Sequence, residues 1–429
     1  MKVDIFPSDL EGTAQAPGSK SAAQRMVACA LLAKGESVIS DFPWNNDCRS
    51  ALLVIQALGA VVSVKGNELI IKGGFPQAFH AGIRNPKTKI HCGESGLAAR
   101  MFTPIAALTD KQMLIEGEGT LLTRTFHDFE HILPALGVKF NSNEGYLPLI
   151  VQGPLTHGEL TMDGSVSSQF LTGLLMALPK TSGESIITVK GLKSKPYIEL
   201  TLQVLEMFGV KIKHRNLEKF HIKPSLFVPQ KLVVPGDWSG AAFLLVAGAL
   251  CARDGLRVTN LSNTSAQADR AIISALQSAG VCLEILENEI VVKASEINAF
   301  EFDANDCPDL FPPLAALAAF ANGVSTIHGI KRLVHKESNR AKALQQEFAK
   351  ANVRIMLRDD EMKIYPASVT RAVINSHNDH RIAMAAAILG LAGDRVSIRN
   401  AEAVNKSYPE FFDVITKLGG KVKQTALAL

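Results

Sequence analysis

The sequence predicts an α/β (α+β) fold of two similar lobes, each an inside-out α/β barrel built of three β-α-β-α-β-β repeat units. Two sets of markers support this prediction. The first is a Gly, Pro or Asn that leads into a helix start rich in small residues, with copies at Gly18, Gly93, Gly164, Gly236, Pro308 and Asn378. The second is a Gly or Asn in a short apolar context, at Gly59, Gly137, Gly209, Gly280, Asn352 and Gly419. Each set spans 360 residues, which indicates six copies of one unit of about 72 residues.

The same order of elements follows each first marker. A helix comes first, and in repeat one it is predicted over Ser21–Ala33 from its apolar periodicity. A strand-like run such as MLIEG or SIITVKG follows, and then a second helix that ends at the second marker. Gly or Asn suits that place because the residue after a helix often adopts the left-handed conformation. An alternating hairpin completes the repeat, with turns predicted at Gly66–Asn67 and Glu287–Asn288.

The repeats divide the chain into two lobes. We expect lobe one to comprise residues 1–17 together with 235–429, and lobe two to comprise residues 18–234. We expect the active site in the cleft between these lobes, because the predicted helix starts of both would face it.

Composition excludes several classes of function. The 45 basic and 41 acidic residues leave a net charge of +4, which is too weak to indicate nucleic-acid binding. The six Cys form no CxxC pair and no zinc-site spacing, so we expect reduced thiols in a cytoplasmic protein. The chain starts without the features of a signal peptide, and its apolar runs are too short to span a bilayer. No membrane association is therefore expected.

Cationic side chains recur at the predicted helix starts, where unpaired backbone N–H groups already favour anions. They are Lys20, Arg25, Arg100, Arg124, Lys336, Arg340, Arg381 and Lys406. Hydroxyl and amide groups join them at Ser167, Ser168 and Gln169. So many cations predict substrates that carry several phosphate and carboxylate groups. No nucleotide-binding loop, HExxH, metal-type carboxylate cluster or GxSxG is present, so neither a metal nor a cofactor is expected.

Each position also has an ordinary structural explanation. Lys20 and Arg25 could belong to a solvated first turn, and a serine at a helix start could be a simple N-cap. Asp309 could likewise cap its helix, while Lys336 and Arg340 could form ion pairs on a surface helix.

The ordered motifs GSKS-x3-R, GSVSSQFL, SKPY, PD, KES-x-R, NDHR-x-AM and K-x-YP-x-FF resemble those of the EPSP synthase family of enolpyruvyl transferases. They run from about Pro17 to Phe412, which is essentially the whole chain. The family folds as two lobes of three repeats each, the architecture that the markers predict independently. The resemblance implies transfer of the enolpyruvyl group of phosphoenolpyruvate to the 5-hydroxyl of shikimate 3-phosphate, in the shikimate pathway to chorismate and the aromatic amino acids.

The resemblance also implies a role for each motif residue. The residues implied for shikimate 3-phosphate are Lys20, Ser21, Arg25, Ser167, Ser168, Gln169, Ser194, Tyr197, Asp309 and Lys336. The residues implied for phosphoenolpyruvate are Lys20, Gly96, Arg124, Gln169, Arg340, His380, Arg381 and Lys406. For catalysis we expect Asp309 as the base, Glu337 as the proton donor and Lys20 in an assisting role.

Four places depart from the family pattern. Two of them are Arg332, where some members have an Asn that touches shikimate 3-phosphate, and His335, where an apolar residue is common before the lysine. The other two are short segments. Glu94–Ser95 stands where the family often has Asn-Ala, and an acid there would repel phosphoenolpyruvate unless it pointed away. Thr120–Leu122 replaces a stretch that is more basic in many members. Repeat four, GDWSGAAF, offers no cation in its first turns and is expected to be a structural copy.

Two alternative functions remain open. The sister enzyme that transfers enolpyruvate to UDP-N-acetylglucosamine shares the fold, but it typically opens with Lys-Asn and has a Cys in its second-repeat loop. This chain has Lys20–Ser21 there and no Cys in the loop after Arg100. A catalytically idle relative that only binds anionic metabolites or a partner protein is the second alternative. For the main interpretation, small-molecule substrates and a monomer are expected.

Overall fold

A computed structural model describes residues 1–76, 87–334 and 336–425 of the chain. The chain divides into two compact units, Gly18–Val234 and Met1–Pro17 joined with Pro235–Leu429. We call the second of these lobe one and the first lobe two, and each is described by itself. Across the described residues, no helix has both the length and the apolar character that a membrane span requires.

Helices occupy corresponding places in the repeats. They are α1 Lys20–Leu32, α2 Asn46–Ala57, α3 Gly96–Ala106, α4 Asp128–Ala135, α5 Ser168–Ala177, α6 Lys195–Met207, α7 Trp238–Cys251, α8 Ile272–Ser278, α9 Phe311–Ala318, α10 Arg340–Ala349, α11 His380–Ala392 and α12 Phe411–Lys417. The predicted first helix of repeat one, Ser21–Ala33, differs from α1 by one residue at each end. At the second markers, all six predicted Gly or Asn residues have positive φ, between 68° at Asn352 and 97° at Gly419.

The strands are short. They are β1 Lys2–Phe6, β2 Gly12–Gln15, β3 Gly35–Ser40, β4 Val61–Lys65, β5 Glu68–Gly73, β6 Lys87–His91, β7 Gln112–Glu116, β8 Lys139–Asn143, β9 Tyr146–Gln152, β10 Glu159–Asp163, β11 Ser185–Lys190, β12 Lys213–Arg215, β13 Lys219–Ile222, β14 Lys231–Val233, β15 Leu256–Thr259, β16 Cys282–Ile285, β17 Glu289–Lys293, β18 Glu301–Asp303, β19 Ser325–His328, β20 Ile355–Arg358, β21 Glu361–Ile364, β22 Ala372–Asn375, β23 Val396–Arg399 and β24 Lys421–Thr425. The hairpins predicted around Gly66–Asn67 and Glu287–Asn288 are β4–β5 and β16–β17.

The strands form six four-stranded sheets with one shared pattern among the described residues. In repeat two the order is β6-β7-β9-β8, with β6 parallel to β7 and the other neighbours antiparallel. The parallel pair is joined through α3, as parallel strands require a crossover. The predicted fold of two lobes with three β-α-β-α-β-β repeats each is therefore confirmed.

Three sheets take a strand from a distant part of the chain. In repeat one, β14 lies parallel to β3, although about 190 residues separate them. In repeat four, β2 lies parallel to β15. In the sixth sheet, β1 lies between β23 and β24. The repeats are thus complete in space without being contiguous in sequence.

The first helices of the repeats form the interior of each lobe. In α1 every residue from Ala22 to Leu32 is buried, and α3 is buried along its whole length. Small residues allow this, since a Cβ at Gly173 of α5 would lie 2.7 Å from the carbonyl oxygen of Arg100 in α3. Because these helices are enclosed, polar side chains near their starts are held away from bulk water.

Candidate active site

Arg25 joins three helices of lobe two and is buried, with 1% of its surface exposed. Its Nε donates to Thr201 Oγ1 at 2.9 Å, and its Nη1 donates to the carbonyl of Ser21 at 2.8 Å. Its Nη2 donates to the carbonyl of Tyr197 at 3.3 Å and to Thr172 Oγ1 at 3.5 Å. Burial lowers the pKa of Arg25 to about 10. Within the described residues its hydrogen-bond partners are all neutral, so an anionic ligand would supply the missing charge.

The serines implied for shikimate 3-phosphate belong to the helices that Arg25 joins. Ser167 caps α5 and accepts from the backbone N–H of Gln169 at 3.3 Å, while Ser168 is buried in its first turn. Ser194 precedes α6 with a positive φ of 54°, and its carbonyl accepts from Tyr197 N at 3.1 Å. The structure therefore gathers Ser21, the Ser167–Ser168 pair and the Ser194–Tyr197 turn at neighbouring helix starts.

Lys20 opens α1 and forms an ion pair of 3.0 Å with Asp47, which lies in the first turn of α2. The side chain of Lys20 is 15% exposed and that of Asp47 is 6% exposed. The lysine predicted to assist catalysis is therefore held by a buried carboxylate. Sequence analysis missed Asp47, although its place in a helix first turn beside a cationic marker was a readable signal.

A second guanidinium links the starts of α3 and α5. Arg100 Nη1 donates to Gln169 Oε1 at 2.9 Å, and Arg100 Nη2 donates to the carbonyl of Thr125 at 3.0 Å. The guanidinium also lies 5.1 Å from the ring centres of Phe126 and Phe170. Burial, and then the positive Arg124, lower the pKa of Arg100 to about 9. The start of α3 thus carries a positive potential that favours an anion.

Gly96 is the point of closest approach between the α3 backbone and two arginines. A Cβ at this position would lie 2.6 Å from Arg124 Nη1 and 3.1 Å from Arg100 Nη1. Only a residue without a side chain leaves this space open, as expected of a helix start that admits an anion. Gly96 and Arg124, both implied for phosphoenolpyruvate, are therefore neighbours.

The carboxylate of Glu94 is hydrogen-bonded to the segment that follows β7. Its Oε2 accepts from Thr120 Oγ1 at 2.8 Å and from Thr120 N at 3.2 Å. Two of the four departures from the family pattern are thus in direct contact with one another, while His335 lies outside the described residues. Sequence analysis left the direction of the Glu94 side chain open, because a rotamer depends on neighbours that are distant in the chain.

In lobe one, three cations surround Asp309, which lies in the helical turn Pro308–Leu310 before α9. The distances to its carboxylate are 2.8 Å from Arg340 Nη1, 3.1 Å from Arg381 Nη2 and 3.4 Å from Lys336 Nζ. Burial opposes ionisation, but Arg381, Lys336 and Arg340 hold the pKa of Asp309 well below its ordinary value. Burial in turn lowers the pKa of Lys336, against the effect of Asp309.

Arg340 is fully enclosed by carboxylates. Besides Asp309, it donates to Glu337 Oε2 at 2.6 Å and to both oxygens of Asp379 at 2.9 and 3.3 Å. Asp379 is also the N-cap of α11 and accepts from Arg381 N at 3.0 Å. These acids outweigh the effect of burial and raise the pKa of Arg340 above its ordinary value. Sequence analysis missed Asp379, although it lies in the NDHR motif at an N-cap position.

Two further predicted residues lie at α11 or pack against it. His380 is its first residue and is 1% exposed, with Nδ1 at 3.9 Å from Asp379 Oδ1. Lys406 ends the helical turn Ala401–Lys406, which packs against α11, and it is buried. The structure thus brings together Asp309, Lys336, Glu337, Arg340 and Arg381, with His380 and Lys406 on the adjoining helix and turn.

Repeat four contributes acid and backbone groups rather than cations. Ser239, in the first turn of α7, donates through Oγ to Asp269 Oδ2, and its carbonyl accepts from Arg381 Nη1 at 3.5 Å. Burial, followed by the negative Asp309, raises the pKa of Asp269 to about 6. Asp269 was not predicted, since nothing near it in the sequence marks it as part of a site. Repeat four thus contacts Arg381, and its role as a structural copy stays a prediction.

The fold and the cation-lined helix starts define a class of protein. Solved structures with this fold include an EPSP synthase from Acinetobacter baumannii, at 22% identity and TM-score 0.81 over 99% of this chain and 100% of that chain. The enolpyruvyl transferase NikO from Streptomyces tendae has the same fold, at 18% identity and TM-score 0.78 over 100% of this chain and 99% of that one. The chain therefore has the fold of these two structures.

The sequence narrows this class to one family. The family model of EPSP synthase (3-phosphoshikimate 1-carboxyvinyltransferase) matches residues 6–415. A 3-phosphoshikimate 1-carboxyvinyltransferase from Clostridium kluyveri is 35% identical, with 98% of each chain covered. One from Clostridium perfringens is 36% identical, over 98% of this chain and 99% of the relative. The chain belongs to the EPSP synthase family, and the resemblance stated from its motifs is confirmed.

Proposed function

We propose that this chain transfers the enolpyruvyl group of phosphoenolpyruvate to the 5-hydroxyl of shikimate 3-phosphate, with release of phosphate. The observation that carries the proposal is the pair of buried guanidiniums of lobe two, Arg25 and Arg100. Each lies at a helix start and hydrogen-bonds only neutral groups within the described part of the chain. Such groups are costly unless an anion accompanies them, and both proposed substrates carry phosphate and carboxylate groups.

The proposed reaction is an addition followed by an elimination. A proton adds to the methylene carbon of phosphoenolpyruvate, the 5-hydroxyl oxygen bonds to the adjacent carbon, and the hydroxyl proton leaves to a base. The tetrahedral adduct then loses phosphate as the enol double bond forms again with release of a proton. Cations that face the departing phosphate would stabilise its charge, and fixed charges of this kind can supply much of a barrier reduction.

The proposed proton carriers are Asp309 as base and Glu337 as donor, with Lys20 assisting. Asp309 is ionised at neutral pH, as a base must be, but its low pKa makes it a weak one. Its position among three cations suits it also for orienting the reacting hydroxyl. Glu337 is paired with Arg340 at 2.6 Å, so proton donation by Glu337 would require that pair to loosen when substrate binds.

A phosphate-release assay tests the proposal. The protein is mixed with phosphoenolpyruvate and shikimate 3-phosphate, and then with phosphoenolpyruvate and UDP-N-acetylglucosamine. Release only with shikimate 3-phosphate is the expected result. Release only with the nucleotide sugar would assign the chain to the sister reaction. Turnover with neither acceptor would indicate a relative that binds anions without catalysis.

We also propose that the protein acts as a cytoplasmic monomer on these small molecules, without nucleic acid or membrane. The net charge of +4 supports this proposal, and so does the finding that none of the six cysteines, all within the described residues, forms a disulfide bond. Light scattering coupled to size exclusion tests the monomer, for which a mass of 46.1 kDa is expected.

A further inference from the structure

A series of hydrogen bonds connects the loop before α3 with the loop after β7. Cys92 N donates to the carbonyl of Glu116 at 2.9 Å, and Glu118 N donates to the carbonyl of Gly93 at 2.9 Å. These backbone bonds continue the parallel pairing of β6 with β7 beyond the ends of both strands. The next link in this series is made by a side chain.

That link is the carboxylate of Glu94, which accepts both the backbone N–H and the hydroxyl of Thr120 at 3.2 and 2.8 Å. The carboxyl group lies directly on the backbone of the neighbouring Gly119, where a Cβ would be 2.5 Å from its Cδ. Gly119 has a positive φ of 54°, so the chain bends sharply at the point of contact. Glu94 therefore holds the first residues of the helical turn Gly119–Thr123.

The same turn ends at Arg124. Arg124 N donates to the carbonyl of Leu121 at 3.2 Å, and Thr123 Oγ1 donates to the carbonyl of Thr120 at 3.1 Å. Leu121 is fully buried and anchors the middle of the turn. Glu94 holds Thr120 at the beginning of the turn. Arg124 follows the end of the turn, and its guanidinium lies beside Gly96.

We propose that Glu94 is a positioning residue, which through Thr120 fixes the turn that presents Arg124 to the anion site at the start of α3. Glu94 itself need not touch substrate. This inference rests on the proposed function, because the anion in question is taken to be phosphoenolpyruvate. The presence of the Glu94 carboxylate near an anion site is then explained by the hydrogen bonds that it accepts from Thr120, and not by its negative charge.

Substitutions separate the hydrogen bonds from the charge. Glu94→Gln keeps an acceptor oxygen and removes the charge, whereas Glu94→Ala removes both. Thr120→Ser keeps the hydroxyl donor and Thr120→Val removes it. Glu118→Ala is the matched control, because Glu118 is exposed in the same segment and, among the described residues, forms hydrogen bonds only through its backbone.

The expected result is a rise in KM for phosphoenolpyruvate of about 10-fold in Glu94→Ala and less in Thr120→Val, as for loss of hydrogen bonds to a charged group. The value of kcat should change by less than about two-fold, since the turn positions a binding group and not a proton carrier. Glu94→Gln, Thr120→Ser and Glu118→Ala should resemble the wild type. A lower KM in both Glu94 variants would overturn the proposal and leave simple charge repulsion as the role of Glu94.

Hydrogen exchange of the peptide over residues 117–124, without substrates, tests the hydrogen bonds between Glu94 and Thr120 independently of turnover. Faster exchange in Glu94→Ala but not in Glu118→Ala is expected, because the Thr120 amide loses its acceptor. Equal exchange in the two variants would refute the positioning role even if the enzyme were active. If the wild type lacked turnover while this difference was present, the proposed function would be wrong, but the positioning of the turn by Glu94 would still be supported.

Discussion

Arg340 and Asp309 form an ion pair of 2.8 Å in which the guanidinium is completely buried. The pair joins the first residue of α10 to the turn before α9, and Asp309 receives Lys336 and Arg381 as well. Three of the four cations predicted for lobe one thus contact the same carboxylate. The charge of Asp309 is therefore central to the geometry of lobe one.

Asp309→Asn should lower kcat by about 100-fold or more, since it removes the proposed base and the charge that orients three cations. Steady-state assays of phosphate release measure this effect. Asp359→Asn is the matched control, because the side chain of Asp359 is 87% exposed. Activity of Asp309→Asn close to that of the control would remove Asp309 from the catalytic residues.

Arg25→Met should weaken binding of shikimate 3-phosphate by about 100-fold, the scale expected when one partner of a buried charge pair is truncated. The free protein should unfold at an unchanged or higher temperature, because Met removes a buried charge whose partners are neutral. Titration calorimetry and thermal unfolding measure the two effects. Arg215→Met, at an exposed position, should change neither. A large loss of stability in Arg25→Met would show that the guanidinium is structural.

The pKa of about 6 at Asp269 predicts how stability depends on pH. Between about pH 4 and pH 6 the folded protein binds this proton more tightly than the unfolded chain, so the free energy of unfolding falls as pH rises. The loss is complete above the folded pKa and amounts to roughly 3 kcal/mol. Asp269→Asn should therefore raise the unfolding temperature at pH 7.5 and leave it unchanged near pH 4.

Thermal scans of the wild type and Asp269→Asn at both pH values provide the measurement. Lower stability of the variant at pH 7.5 would contradict this expectation. It would mean that the ionised carboxylate stabilises the folded protein, for example through the charge of Arg381.

Gly96→Ala should raise the KM for phosphoenolpyruvate by about 10-fold without unfolding the protein, because the nearest neighbours of the new methyl group are the guanidinium groups of two arginines and not backbone atoms. It would lie 2.6 Å from Arg124 Nη1 and 3.1 Å from Arg100 Nη1. Gly158→Ala is a suitable control, since its Cβ would meet only Leu136 at 3.8 Å. An unchanged KM in Gly96→Ala would place the anion elsewhere.

The fold was predictable because local chemistry repeats along the chain. Positive φ at Gly59 and its five counterparts is a property that the sequence displays directly. The sheet positions of the distant strands β14, β2 and β1 were not predictable, because the sequence of a short strand does not indicate which strand it pairs with. Likewise, Arg25 and Arg340 could be read as site residues from motif and charge. Their neutral or acidic partners, Thr201 and Asp379, depend on side-chain packing between helices.

The position of β1 in its sheet has a consequence for synthesis on the ribosome. β1 is synthesised about 390 residues before its neighbours β23 and β24. Val3 and Ile5, fully buried in the folded protein, therefore remain without partner strands until those residues have been translated. Residues 18–234 form a continuous stretch and can fold meanwhile. At this stage the nascent chain contains a folded lobe two and an unpaired, apolar β1. A chaperone can bind the chain in this state.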